Sequence, residues 1–230
     1  MDSGLTNTAC GVKILYEDNH IIVAVKPSGV LSQSDGSNAP DMLTILKAYI
    51  KEKYQKPGEV YLGLVHRLDR PVSGVMVFAR TSKAASRLSE QIRQRKVDKI
   101  YRCVVSGMLE GDGRLENFIW KDEAKNIVTV SDSAKPGFKA CYLDYRAVLS
   151  KDGMTQAEVK LGTGRSHQIR AQMAHAGHPL IGDQKYGKKD ERTKDIALEA
   201  YKLSFEHPVK REFITFEAPV PDIFPWSLFA

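Results

Sequence analysis

Residues 12–16 and 20–26 are dense in β-branched side chains and flank the polar Glu17-Asp18-Asn19, which predicts two strands joined by a turn. Lys26-Pro27-Ser28-Gly29 breaks the second strand, and a Ser/Asp/Gly-rich loop over 32–40 follows. Leu43, Ile45, Leu46, Tyr49 and Ile50 then predict an amphipathic helix over about 41–54. Beyond Lys56-Pro57-Gly58, residues 60–65 read as a short strand. Residues 66–71 read as a loop, since Pro71 and Gly74 suit neither a helix nor a central strand. A buried strand is expected over 75–79, and a helix over 82–94 with Ala84, Leu88 and Ile92 on one side.

The second half is mostly strand pattern. Residues 100–105 form a strand ending at Gly107, and 111–131 a hairpin carrying Phe118 and Trp120. Residues 138–149 and 155–161 pair across Lys151-Asp152-Gly153. A helix over 167–176 has Ser166 as its expected N-cap and Gly177 just past its end. A polar loop, 187–195, leads to a strand over 201–205. No repeat or long linker divides the chain. The expectation is one α+β domain over 1–230, a central, mainly antiparallel sheet with flanking helices, preceded by a flexible N-terminus at 1–11.

Composition narrows the class. Hydrophobic residues at 42% and charged residues at 27% are ordinary for a globular protein. Residues 1–10 have neither a basic start nor an apolar core, so no secretory signal is expected, and apolar runs such as 21–25 are far too short to span a membrane. A cytoplasmic protein without membrane association is expected, with monomer as the default state. Cys10, Cys103 and Cys141 form no CxxC spacing, which argues against a structural zinc site or a disulfide framework. Cys103 and Cys141 lie in apolar alternating stretches and read as buried thiols. The net charge of +6 favours a polyanionic partner, and eight Lys or Arg between Arg80 and Arg102 face only Glu90 and Asp98.

Two segments carry candidate chemistry. His66-Arg67-Leu68-Asp69-Arg70 sets a carboxylate between guanidinium groups on a loop held by strands. Gly162-Thr163-Gly164-Arg165-Ser166-His167-Gln168-Ile169-Arg170 is a glycine-rich turn into a helix, a geometry suited to anions. A metal-dependent hydrolase built from His66, Asp69, His167, His175 and His178 is disfavoured, because Gly177 ends the helix between the last two and no HxxxH or HxH pair exists.

Together these segments resemble the RluA-type pseudouridine synthases. Lys13 to Asp18 and Val25 to Gly29 are similar to that family's opening, and Leu64 to Arg70 with Ser73-Gly74 to its catalytic loop. Lys99-Ile100-Tyr101-Arg102, running to Val105-Ser106-Gly107, resembles its tyrosine motif, and Gly164 to Arg170 its arginine motif. His178 to Asp183 and Leu203 to Pro208 resemble the closing segments. The resemblance implies an isomerase that converts uridine in structured RNA, ribosomal or transfer, to pseudouridine, with an RNA-binding cleft across the sheet and no cofactor or metal. It implies that Asp69 is the essential carboxylate, that Tyr101 packs on the target base and that Arg170 holds Asp69 ionised. Arg67 would enter the space left by the flipped nucleotide, with His66 beside it; Arg70 and Arg165 would contact RNA, and Leu203 would pack beneath the catalytic loop.

Departures from the family pattern are Pro71-Val72 after the catalytic segment, Ala171-Gln172 where Val-His is usual, and Glu199 where His is common. Too few residues precede Lys13 for the accessory RNA-binding domain that many relatives carry. A non-catalytic RNA-binding protein on the same scaffold would have no need to retain Asp69, Tyr101 and Arg170 together. The residues leave open whether the aspartate attacks C6, attacks C1′ or assists a glycal route.

Overall fold

The computed structural model describes residues 8–9 and 11–229. The chain divides into two compact units, residues 1–99 with 200–218 and residues 100–199 with 219–230. The architecture is α+β, and the strand ladders are mostly antiparallel.

In the first unit the strands β1 (Thr8–Ala9), β2 (Val12–Glu17), β3 (Ile21–Lys26) and β5 (Ser73–Ala79) lie side by side, with β4 (Gly63–Leu64) on β5. β11 (Leu198–Glu206) follows β5, its part from Ala200 onward belonging to this unit, and β12 (Phe213–Glu217) pairs with β11. Residues 8–9, expected to be flexible, pair with β2; the rest of 1–10, Cys10 included, lies outside the described residues. Ile21, Ile22, Val23 and Ala24 are all fully buried, so β3 is covered on both faces and its apolar run is continuous rather than alternating.

Helix α1 (Met42–Lys53) starts at Asp41, whose carboxylate accepts the Thr44 N–H at 3.0 Å. Helix α2 (Ser82–Arg93) starts at Thr81, whose hydroxyl accepts the Ala84 N–H. Ala84 and Leu88 are buried against Val75, Val77, Leu203 and Phe205. Ile92, expected third on that stripe, is only half-buried. Gln91 takes its place, because its amide exchanges two hydrogen bonds with the Glu206 backbone, at 2.8 and 3.0 Å.

The second unit is the sheet β6–β10–β9–β7–β8, where β6 is Asp98–Ser106 (from Ile100 onward in this unit), β7 Asp112–Asp122, β8 Ile127–Ser131, β9 Lys139–Lys151 and β10 Met154–Leu161. Both expected hairpins are present. Helix α3 (Gln168–His175) packs against β7 and β8. Trp226, in the short 3-10 turn Trp226–Leu228, fills a cluster with Val104, Met154, Ile181 and Ala197. Cys103 and Cys141 are buried free thiols; burial pushes the Cys103 thiol up to about 12. Among the described residues no helix is long and apolar enough to cross a membrane.

Candidate active site

The loop after β4 is held by its backbone. Ser32 Oγ accepts the Leu68 N–H at 3.1 Å and donates to the Leu68 carbonyl at 2.8 Å. The Asp69 carbonyl accepts from Val72, the Arg70 carbonyl from both the Gly29 N–H and Lys26 Nζ, and the Pro71 carbonyl from Ser28 Oγ. Four consecutive carbonyls, 68 to 71, are therefore fixed, and three of the four are held from the segment 26–32. Arg70 returns the contact, its Nε donating to the Gly29 carbonyl at 3.0 Å. Leu68 is buried, Asp69 half-buried, and Arg67 and Arg70 are exposed. A carboxylate is thus carried on a rigid base between two guanidinium groups that face water.

Lys26 anchors this base. Its side chain is fully buried, and Nζ donates to the carbonyls of Pro27, Val30 and Arg70 at 2.9, 2.6 and 3.0 Å. Burial brings the ammonium down to about 8, opposed by the Asp69 charge and reinforced by that of Arg70. Downstream, Gly74 (φ +137°) cannot be replaced without conflict, since a Cβ there would lie 2.4 Å from the Ala200 carbonyl oxygen. This explains the Ser73-Gly74 pair after the loop: β5 approaches β11 through a position that tolerates no side chain.

His66 is buried, and its Nε2 accepts the Val77 N–H at 3.1 Å. That contact also explains why β4 is only two residues long instead of the six expected, since an imidazole takes the place of the next strand partner. Leu203 is 1% exposed, within the core beside Val65 and Val75.

In the second unit, Tyr101 is a buried residue of β6 opposite Val159. Arg170, in the first turn of α3, makes a bidentate pair with Asp183 at 2.8 and 2.7 Å. Asp183 also accepts the N–H groups of Lys185 and Tyr186, and the Arg170 guanidinium lies 5.2 Å from the centre of the Tyr186 ring. The Tyr186 hydroxyl accepts the Val128 N–H at 2.8 Å and lies 2.7 Å from His167 Nδ1. The arginine is therefore oriented by the 178–186 segment, whose role the motif comparison left unassigned.

Ser166 is not the N-cap of α3. His167 occupies that position in a left-handed conformation (φ 51°) with no side-chain cap. The Gln168 side chain braces the preceding turn, its Oε1 accepting from the Thr163 hydroxyl and the Arg165 N–H. Gln168 Nε2 donates to the Tyr142 carbonyl and to Gln172, which in turn donates to the Leu115 carbonyl and Asn117. The departure Ala171-Gln172 thus has a structural use in this buried amide network. Glu199 has one too: it pairs with Arg102, which also stacks on Trp226, although burial pushes the Glu199 carboxyl up against the pull of that arginine. Arg165 is exposed at the turn. At the far end Gly177 (φ 86°) closes the helix as expected, with Gly177 and His178 donating to the Ala174 and Met173 carbonyls.

The basic run is not one uniform surface. Arg80 is bound to Glu17 and the Asp18 carbonyl, Arg87 to the Pro208 carbonyl, and Arg102 to Glu199. The histidines of the hydrolase alternative are engaged elsewhere: His167 with Tyr186, His175 with Asp132, and His178 with the Ser106 carbonyl.

A family model described as RNA pseudouridylate synthase matches residues 20–175, more than half of the chain. The chain belongs to that family. Among relatives of this pseudouridylate synthase family member, the ribosomal large subunit pseudouridine synthase D of Neisseria meningitidis serogroup A is 37% identical over 222 residues, 91% of this chain and 58% of that protein. The protein of the same name from Vibrio cholerae is 35% identical over 226 residues, 92% of this chain and 68% of that protein. The chain thus spans less than two thirds of the Neisseria relative's length. The solved structure of human RNA Pseudouridylate Synthase Domain Containing 4 has a TM-score of 0.77 at 22% identity, covering 94% of this chain and 91% of that one, and shares its fold. The matched family region includes His66, Arg67, Asp69, Arg70, Tyr101, Arg165 and Arg170, and ends before Asp183 and Leu203.

Proposed function

We propose that this chain isomerises uridine to pseudouridine in large-subunit ribosomal RNA, with Asp69 as the catalytic carboxylate. The observation that carries the reading is the fixed loop backbone from 68 to 71, which presents a half-buried carboxylate on a base anchored by Lys26, Ser28 and Ser32. A reacting group must be held in one geometry to act on a bound base. The names of the relatives favour ribosomal over transfer RNA.

The reaction breaks N1–C1′, turns the uracil and forms C5–C1′. It is redox-neutral, with a proton leaving C5 and one gained at N1, so no redox cofactor is required. A stacked uridine is out of reach, and flipping it out costs a few kcal/mol. Exposed Arg67 is suited to filling the space it leaves, and exposed Arg70 and Arg165 to holding flanking phosphates. Tyr101 takes the part of a flat face for the uracil, with a hydroxyl for the C5 proton. Arg170 is assigned the part of counter-charge to the reacting carboxylate. His66 serves the bound RNA from the same loop. The protein acts as a monomer in the cytoplasm.

Tritium release from 5-tritiated uridine, in ribosomal RNA taken from cells lacking the protein, is the test. The parent should release tritium, and Asp69→Asn should release none while binding RNA as tightly. Substantial release by that variant would refute Asp69 as the catalytic group.

A further inference from the structure

A groove of about 670 Å³ lies in the first unit between α2, the turn after it and the segment that joins β11 to β12. That volume is within the range of roughly 300–1,000 Å³ of clefts that hold a small ligand. No residue of 26–32 or 66–71 lines it, so it is separate from the catalytic loop and its anchors. Its walls are tied together. Arg87 Nη1 donates to the Pro208 carbonyl at 2.6 Å, and the Gln91 amide exchanges two hydrogen bonds with the Glu206 backbone.

The charges lining the groove do not cancel. Glu90 is engaged by Arg93 and Gln94, and Glu206 by Arg211 at 2.8 Å. Both carboxylates are therefore neutralised within the protein. Arg87 spends one N–H on a neutral carbonyl, and no carboxylate pairs with it among the described residues. Lys96 is exposed, and no hydrogen bond or ion pair engages its ammonium among the described residues. Beside these two cations lies Phe213, the first residue of β12, whose alternate positions Ile214 and Phe216 pack against the core. At 63% it is the most exposed large apolar side chain among the described residues. A free lysine or a bare phenylalanine alone is ordinary surface. An open aromatic face beside two unneutralised cations, in one concave site, is the combination that holds a single-stranded nucleotide.

We propose that this groove takes a single-stranded nucleotide of the substrate RNA, its base stacked on Phe213 and its phosphate held by Arg87 and Lys96. The assignment to substrate RNA rests on the function proposed above. Stacking and phosphate contact position a strand without reading its sequence, so the groove adds affinity at a second point on the RNA and leaves the choice of uridine to the catalytic site. It also gives part of the basic run over 80–102 a use: Arg80, Arg93 and Arg102 are consumed by carboxylates of the protein, whereas Arg87 and Lys96 are left for an outside anion.

The test uses the full chain, with a short oligouridylate as the first probe. In protein carrying ¹³C-labelled phenylalanine, the Phe213 ring signals, identified by their loss in Phe213→Leu, should shift saturably with the oligonucleotide. Inorganic phosphate at matched ionic strength should not reproduce the shift, because it brings no base. In the second arm, binding of ribosomal RNA is measured across a salt series. Lys96→Gln should reduce the log–log slope by about 0.7, the value for one phosphate contact of a single strand. Phe213→Leu should weaken binding at least about fivefold with the parent's slope, the low end of what one stacked base contributes. Phe213→Tyr should restore the affinity, since stacking needs a ring and not merely an apolar side chain, and this separates loss of the platform from loss of fold. Phe213 signals indifferent to oligouridylate would overturn the site. A saturable shift, with Lys96→Gln and Phe213→Leu both binding ribosomal RNA like the parent, would overturn substrate RNA as the source of the nucleotide. Absence of tritium release by the parent would refute the isomerase reading and leave the oligouridylate arm standing.

Discussion

Replacing Lys26 with Met probes how the catalytic loop is held. The two side chains are similar in length and volume, so the exchange leaves little cavity and removes the charge together with three hydrogen bonds. Hydrogen bonds to a charged group contribute about 1.5–3 kcal/mol each. Against them stands the desolvation of the ammonium. Its fall from 10.5 to about 8 corresponds to about 3 kcal/mol against the charged form. The balance is a destabilisation of about 2–6 kcal/mol, with the carbonyls of Pro27, Val30 and Arg70 losing their donor. Urea unfolding at pH 7 measures it, provided that parent and variant share the same denaturant slope. The pH dependence gives a second, independent sign. Lys26 is depressed in the folded state, so between pH 8 and 10.5 the unfolded chain binds more protons. Parent stability should then rise relative to Lys26→Met across that window, by at most about 3 kcal/mol. Activity should fall at least about tenfold through kcat, because release of the Arg70 carbonyl loosens the residue beside Asp69. RNA affinity should hold, because Lys26 is fully buried. A variant within about 0.5 kcal/mol of the parent would show that the three bonds do not hold the loop.

Three further outcomes are expected. Gly74→Ala forces a Cβ to within 2.4 Å of the Ala200 carbonyl oxygen at φ +137°, and should lower stability by at least about 3 kcal/mol or prevent folding; a thermal midpoint equal to the parent's contradicts the close approach of β5 and β11. Glu17→Gln loses a carboxylate that accepts from Tyr49, Lys53, Tyr54 and Arg80, at a cost of about 1–3 kcal/mol at pH 7. Burial raises the Glu17 carboxyl, but the Lys53, Tyr54 and Tyr49 contacts outweigh it and the net direction is down from 4.5. The parent's advantage should therefore be complete above pH 4.5 and shrink as pH falls through the lower folded value; a pH-independent difference would contradict this. Tyr186→Phe leaves the Val128 N–H and His167 Nδ1 without their shared hydroxyl, and should cost about 1–2 kcal/mol in urea. It should also lower kcat, since Tyr186 lies against Arg170; a kcat equal to the parent's would show that the arginine needs only Asp183.

What could be read from the sequence follows the range over which each signal acts. Hairpins are local, so alternation and a turn residue such as Gly153 located both β7–β8 and β9–β10. Helix starts were legible where the cap is a neighbour, as at Asp41 for α1. They failed at α3, where Ser166 has the right chemistry but His167 holds the cap position without a side-chain bond, and Gln168 reaches back to brace the turn before it. β12 was missed because five residues after a charged stretch carry little pattern of their own; the strand exists through its pairing with β11. The charge run over 80–102 shows the same limit, since Arg80, Arg87 and Arg102 find partners 63, 121 and 97 residues away in sequence.

The candidate site divides along that line. Pro71 and Gly74 were enough to show that Asp69 sits on a loop, and the motif around it was enough to name a family. Rigidity was not legible, because it comes from donors 36 to 44 residues upstream. Lys26 and Ser28 belonged to a quoted motif and read there only as a strand breaker. In the folded chain that breaker turns the backbone so that one ammonium, one hydroxyl and one amide reach two successive carbonyls beyond Asp69, those of Arg70 and Pro71. The Lys-Pro-Ser-Gly sequence and the catalytic segment are therefore one structural device, and a substitution in the first should be felt as a loss of positioning in the second.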